Sequence, residues 1–143
     1  MNIVYNKAIP LVKEALNSRA LRQDLISSNI ANVDTPFYRP KDIEFEGVLA
    51  KKAEKVFNSG NEKTLKLAKT NGMHLDMSGN ADYKSTIFFR DGHMARNDGN
   101  SVDLDVETTE MSKNSVMFNA LVSGLRKAGS IFNNVLDSSA KMQ

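Results

Sequence analysis

A chain that carries Ser27-Ser28-Asn29-Ile30-Ala31-Asn32-Val33-Asp34-Thr35-Pro36-Phe37-Tyr38 cannot run its N-terminal helix through that stretch. Pro36 has no backbone N–H to give, and its ring drives Thr35 toward extended backbone. Asn32 and Asp34 bring side chains that bond to nearby backbone in turns. The helix is therefore expected to end near Asn32 and the chain to leave it extended. On turn chemistry alone this is a helix stop.

Upstream of the stop, Ile9, Val12, Leu16, Ile26 and Ile30 follow a three-four spacing, widened by Leu11, Ala15 and Leu25 and interrupted by Arg19 and Gln23. The spacing predicts a helix from about Pro10 to Ile30, with Met1 to Ala8 ordered only against a partner. Downstream, Pro40 forbids ordinary helix, and Ile43 and Phe45 alternate with Asp42, Glu44 and Glu46, so Phe37 to Glu46 is expected extended along a helix. Val48 to Phe57 returns to helical period through Leu49, Ala53 and Phe57. Asn58 to Asp82 is punctuated by Asn58-Ser59-Gly60-Asn61, Asn71-Gly72 and Ser78-Gly79-Asn80 and predicts little regular structure. Lys84 to Arg90 is β-branched and aromatic and runs into Asp91-Gly92. That predicts a strand returning through His93 to Arg96 as a small hairpin, which must rest on a helix to be stable.

From Asp103 the pattern is helical again, with Asp103, Asp105, Glu107 and Glu110 at the start and Lys127 and Lys141 toward the end, as the helix dipole favours. Met111, Phe118, Leu125 and Phe132 recur every seven residues, and Asn114, Leu121, Ala128 and Val135 follow each by three. Met117, Gly124 and Ile131 broaden this seam beyond what one partner helix covers. The packing residues expected are thus Ile9, Val12, Leu16, Ile26 and Ile30 on the first helix and Met111, Phe118, Leu121, Leu125, Ala128, Phe132 and Val135 on the last. The fold class that follows is mostly α. Long N- and C-terminal helices pair as a coiled-coil-like layer, with a short middle helix, extended segments and a small β-hairpin. Residues 1–36 and 103–143 form the helical layer, and 37–102 form a middle segment beside it.

Composition narrows function more than it names it. Leu, Ile, Val and Phe make up 36 of 143 residues, enough to fold with a modest core. A net charge of +2 without a long single-sign run gives no handle for nucleic acid. No apolar run is long enough for membrane insertion, and Met1 to Leu16 lacks the apolar stretch of a cleaved signal peptide. There is no cysteine. Asp98, Asp103, Asp105 and Glu107 lack the ligand order of an EF-hand, and His74 and His93 are too few for a zinc site. The chain carries no nucleophile-elbow or phosphate-loop pattern. No catalytic, cofactor or metal-binding residue is expected.

Asn29-Ile30-Ala31-Asn32, two residues, Thr35-Pro36, one residue and Tyr38 together resemble the N-terminal signature of flagellar rod, hook and hook-filament junction proteins. Phe37 stands where that family most often has glycine, which leads us to expect a less sharp turn. Asp98-Gly99-Asn100-Ser101-Val102-Asp103-Leu104-Asp105, with Glu107, Met111 and Asn114, resembles the lead-in to the C-terminal helix of the family's proximal rod proteins. The matched motifs cover about a third of the chain. The resemblance implies a structural subunit of the flagellar basal-body proximal rod, crossing the periplasm. Its terminal helices would line a helically assembled tube and transmit torque by packing, without chemistry. Implied partners are copies of itself, other rod and rod-base adaptor proteins, and the flagellar type III export apparatus that would carry it out without a cleaved signal peptide. The alternatives are another flagellar axial subunit or, from a different class, a cell-wall hydrolase working with Glu and Asp, for which the sequence places no carboxylate pair.

Overall fold

Two long helices set the shape. The computed structural model describes residues 2–58, 85–90 and 96–141, in the order α1 (Asn2–Ala31), β1 (Lys41–Glu44), α2 (Glu46–Asn58), β2 (Thr86–Phe89) and α3 (Leu104–Ala140). α1 and α3 run antiparallel: Asn29, near the end of α1, meets Glu107 near the start of α3, and Arg19 and Gln23 meet Asn114 two turns further along. The mostly helical class and the pairing of the terminal helices are as the sequence predicts.

α1 begins at Asn2, well before the expected start at Pro10, which lies inside the helix. Proline removes one backbone donor there and its ring crowds the carbonyl one turn earlier, yet the helix runs on both sides of it. The other end matches expectation, with α1 stopping at Ala31 and turns following from Asn32. α3 begins as its sequence asks: Asp103 Oδ1 accepts from the N–H groups of Asp105 (2.9 Å) and Val106 (3.3 Å), satisfying two donors that the helix leaves open.

The strand expected within Lys84 to Arg90 is present as β2, in a two-stranded antiparallel ladder with part of the segment expected to be extended from Phe37 to Glu46. β2 pairs antiparallel with β1, far upstream, in the register Lys41↔Phe89 to Glu44↔Thr86. The Arg90 N–H extends the pairing to Pro40 O at 2.8 Å. Of the return strand expected at His93 to Arg96, residues 93–95 lie outside the described residues, as does the loop expected up to Asp82 from residue 59 onward. The expected alternation in β1 also fails at one position. Asp42 is buried together with Ile43 and Phe45, because its carboxylate turns inward to two arginines.

The interior is small. Among the described residues it comprises the apolar Ala15, Ile26, Ile43, Phe45 and Val102, with buried Pro40 beside them. The buried polar residues Ser18, Asn29, Asp42, Asn100, Glu107 and Asn114 are slightly more numerous, so hydrogen bonds must fix much of the geometry. α2 begins at Glu46, where Leu49 N–H bonds Phe45 O at 2.8 Å, and Lys52 ties it to Glu14 of α1.

The α1–α3 seam is tight only toward the joint. Ile26 is fully buried, whereas Val12, Leu16, Ile30, Met111, Phe118, Leu121 and Ala128 are half-buried. Ile9, Leu125, Phe132 and Val135 are exposed, as is every residue from Ser130 to Lys141. A core this small should be sensitive to a single deletion. Phe45→Ala, at a fully buried ring, is expected to lose about 3–5 kcal/mol in urea unfolding. Phe57→Ala, at a ring 51% exposed, should change stability by less than about 0.5 kcal/mol.

Candidate functional site

The end of α1 is closed by its own signature. Asn32 Nδ2 donates back to Ser28 O (2.8 Å), and Asn32 Oδ1 accepts from the Thr35 hydroxyl (3.2 Å), while the Thr35 N–H bonds Asn32 O (3.0 Å). These bonds absorb helix-end groups that the stop at Pro36 would otherwise strand. Asn100, buried on the segment that leads into α3, reaches across to the same helix end. Its amide nitrogen donates to the carbonyls of Asn32 (2.9 Å), Val33 (2.8 Å) and Thr35 (2.8 Å), and its oxygen accepts from Val102 N–H (2.8 Å). One side chain thus clamps the exit of α1 to the start of α3.

Asn29, one turn earlier, is fully buried and uses its whole hydrogen-bonding capacity. Its Nδ2 donates to Lys41 O (2.9 Å) and Glu107 Oε2 (3.1 Å), and its Oδ1 accepts from Lys41 N–H (2.9 Å) and Tyr38 O–H (3.2 Å). It reads β1 as backbone and α3 as side chain. From Glu107 the bonding continues as a chain of alternating charge. Arg90 Nη1 donates to Glu107 Oε1 (2.8 Å), and Arg90 Nη2 (2.9 Å) and Arg22 Nη2 (3.0 Å) both donate to Asp42 Oδ2. Asp42 Oδ1 accepts from Ile43 N–H at 2.8 Å. Glu46 stands 3.8 Å from Arg22 Nη1 and Glu110 3.9 Å from Arg22 Nη2. Burial alone would push the Asp42 carboxyl up, but the bonds from Arg22, Arg90 and Ile43 outweigh it and hold the group below the usual carboxylate range.

The turn at Phe37 is not relaxed by the absence of glycine. Phe37 takes a left-handed φ of 60°, a conformation that costs a bulky residue about 1–3 kcal/mol. Its N–H is held by Asp98 O (3.0 Å), and Ser101 N–H bonds Tyr38 O (3.2 Å), so the two segments impose the turn. Gly99, at φ 73°, has no room for a side chain, since a Cβ there would sit 2.7 Å from Phe37 Cδ1.

The segment that builds this joint is also what the chain shares with known proteins. The description "Flagella basal body rod protein" belongs to the family model that matches residues 13–39. The flagellar basal body rod protein FlgB of Escherichia coli K12 is 34% identical over 133 residues, spanning 92% of this chain and 94% of the relative. The protein of the same name in Yersinia enterocolitica is 39% identical over 111 residues, 78% of this chain and 80% of the relative. In Bacillus subtilis the corresponding figures are 31% over 119 residues, 83% and 84%. The chain belongs to the flagellar basal body rod protein family.

In this rod-family chain the signature residues do not all sit alike. Asn29 is buried, Ile30, Asn32 and Tyr38 are half-buried, and Ala31, Thr35 and Pro36 are exposed. The structure pairs Asn29 with Tyr38 and Asn32 with Thr35 by side-chain bonds, whereas the packing residues from Leu125 onward lie along α3 away from the joint. Sequence reasoning missed Arg22, Asp42 and Arg90, and named Asn100 and Glu107 only within the motif before α3, without their bonding roles. One signal was present: Glu107 falls seven residues before Asn114, on the buried line of the heptads. The buried carboxylates are not arranged for acid–base work, since both oxygens of Asp42 and of Glu107 are taken by guanidinium, amide or backbone donors. No helix among the described residues is long and apolar enough to cross a membrane.

Because the folded Asp42 releases its proton more readily than the unfolded chain does, its contribution to stability is present above about pH 4 and is lost as pH falls through its lowered value. Asp42→Asn removes the anion that Arg22 and Arg90 share, leaving Arg90 its Glu107 and Arg22 the more distant Glu46 and Glu110, and is expected to cost about 1–3 kcal/mol at pH 7. Urea midpoints of this variant should fall less steeply between about pH 4 and 2 than those of the wild type. A parallel decline in both proteins would contradict the role assigned to Asp42.

Proposed function

We propose that this chain is a structural subunit of the flagellar basal-body rod, placed in its proximal part and performing no catalysis. The observation that carries this reading is the joint. It fixes α1 and α3 antiparallel through buried polar contacts, in the segment that matches the family model, while the far half of α3 keeps an exposed apolar stripe. Residues 1–36 and 103–143 form the helical layer of the assembled rod, and 37–102 lie beside it. The signature residues Asn29, Ile30, Ala31, Asn32, Thr35, Pro36 and Tyr38 set the angle at which the chain leaves that layer.

Assembly proceeds by contact between unlike faces, which generates a helical array when repeated. The α3 stripe through Leu125, Phe132 and Val135 supplies one such face, and torque passes through packed helices. Partners are copies of the chain, other rod and rod-base adaptor proteins, and the flagellar type III export apparatus that delivers it. The location is the basal body.

Leu125 tests this reading, because it is 37% exposed in the single chain. Leu125→Asp can solvate its carboxylate in the monomer and should keep a urea midpoint near wild type. In a packed rod the carboxylate would be buried without a partner, at several kcal/mol. Incorporation into basal bodies at equal expression is therefore expected to fall by about tenfold or more. Wild-type incorporation of this variant would remove α3 from the assembly layer.

A further inference from the structure

Phe37 combines two properties that oppose each other in a merely structural residue. Its backbone is held in the left-handed region, and 81% of its surface is exposed. Strain of that kind persists only where the surroundings impose it, and here two turns do so. The Asp98 carbonyl holds the Phe37 N–H, Gly99 packs against one edge of the ring, and Asn100 ties both turns to the end of α1. The ring is thus presented to solvent on a rigid support. An aromatic residue whose backbone is already fixed has less freedom to lose on contact, which is the character of an interface anchor. One exposed carboxylate accompanies it: Asp34, whose side chain is 91% exposed although Arg96 lies 3.4 Å away, whereas the Asp98 carboxylate accepts from the Asn100 N–H at 3.0 Å.

A matching surface lies at the other end of α3. Ile131 and Val135, one turn apart on one face, are 56% and 57% exposed, and the exposed Lys127 precedes Ile131 by one turn on that face. Ile131 is roughly 40 Å along the helix from its start, so Phe37 cannot reach this ridge within its own chain. We propose that Phe37 docks on the Ile131–Val135 ridge of a second copy of this chain, with Asp34 facing that copy's Lys127. The contact rests on the rod reading and specifies its geometry. It joins unlike surfaces at opposite ends of the subunit, so it repeats head to tail and leaves both ends open.

Phe37→Gly separates anchor from turn residue. Glycine adopts the left-handed backbone without strain, so the monomer's urea midpoint should hold or rise, while incorporation into basal bodies should drop by about tenfold. Incorporation at the wild-type level or above would overturn the anchor. Lys127→Asp should also reduce incorporation, and Asp34→Lys added in the same chain should restore most of it, because the reversed charges meet again only between copies. Failure of that rescue would overturn the self-contact while leaving the rod assignment intact. Absence of the wild-type chain from basal bodies would overturn the rod assignment and this contact together.

Discussion

The fold depends on Glu107, a carboxylate buried near the start of α3. It is tolerable there only because Arg90 and Asn29 both donate to it. Arg90 is placed by the strand ladder and by Pro40 O, Asn29 by the last turns of α1, and Asp42 of β1 shares Arg90 with Glu107. Bringing α3 to the molecule therefore requires that α1, β1 and β2 already stand in one mutual arrangement. Any other docking would leave a charge in the interior without a partner, at a cost of several kcal/mol.

Such a network need not add net stability, since desolvating four charged groups offsets much of their attraction. Its effect is to select a register. An apolar α1–α3 seam would tolerate sliding by a heptad, because one Leu or Ile resembles the next. Here Asn29 must meet Glu107 and Gln23 must meet Asn114, and a seven-residue slip separates both pairs. The Asn100 clamp removes the remaining freedom by tying the exit of α1 to the residues just before α3. Geometry is thus set by directional bonds at one end, the end that also holds the buried Ile26, Ile43, Phe45 and Val102.

The parts of this arrangement governed by local chemistry were legible in the sequence. Pro36 and Asn32 announced the end of α1, Asp103 capped α3, and the seven-residue recurrence of Met111, Phe118, Leu125 and Phe132 marked the long helix. What depended on distant pairing was not. A charged residue in an alternating strand reads as solvent-facing, so Asp42 gave no sign that Arg22 and Arg90 would be waiting inside. The partner of β2 lies more than forty residues upstream, and local turn signals cannot point that far. Asn100 was legible only as part of a motif before α3, because its role lies in three carbonyls that only the folded chain brings together. The start of α1 was misplaced for a related reason: the apolar spacing begins only at Ile9, whereas the helix winds from Asn2.

The division of labour along α3 follows from the same physics. Near the joint its inward residues are Glu107 and Asn114, which recognise particular partners and tolerate no others. Farther along, its side chains are Leu125, Ile131, Val135 and Leu136, apolar and exposed, which accept any complementary apolar surface. A subunit that must first fold alone and then join an assembly is served by that order. Directional contacts complete themselves within the chain, whereas a non-directional surface keeps its free energy in reserve until a neighbour arrives. Reversing the two would leave unpaired charges waiting for an assembly partner and place the permissive surface where register has to be chosen.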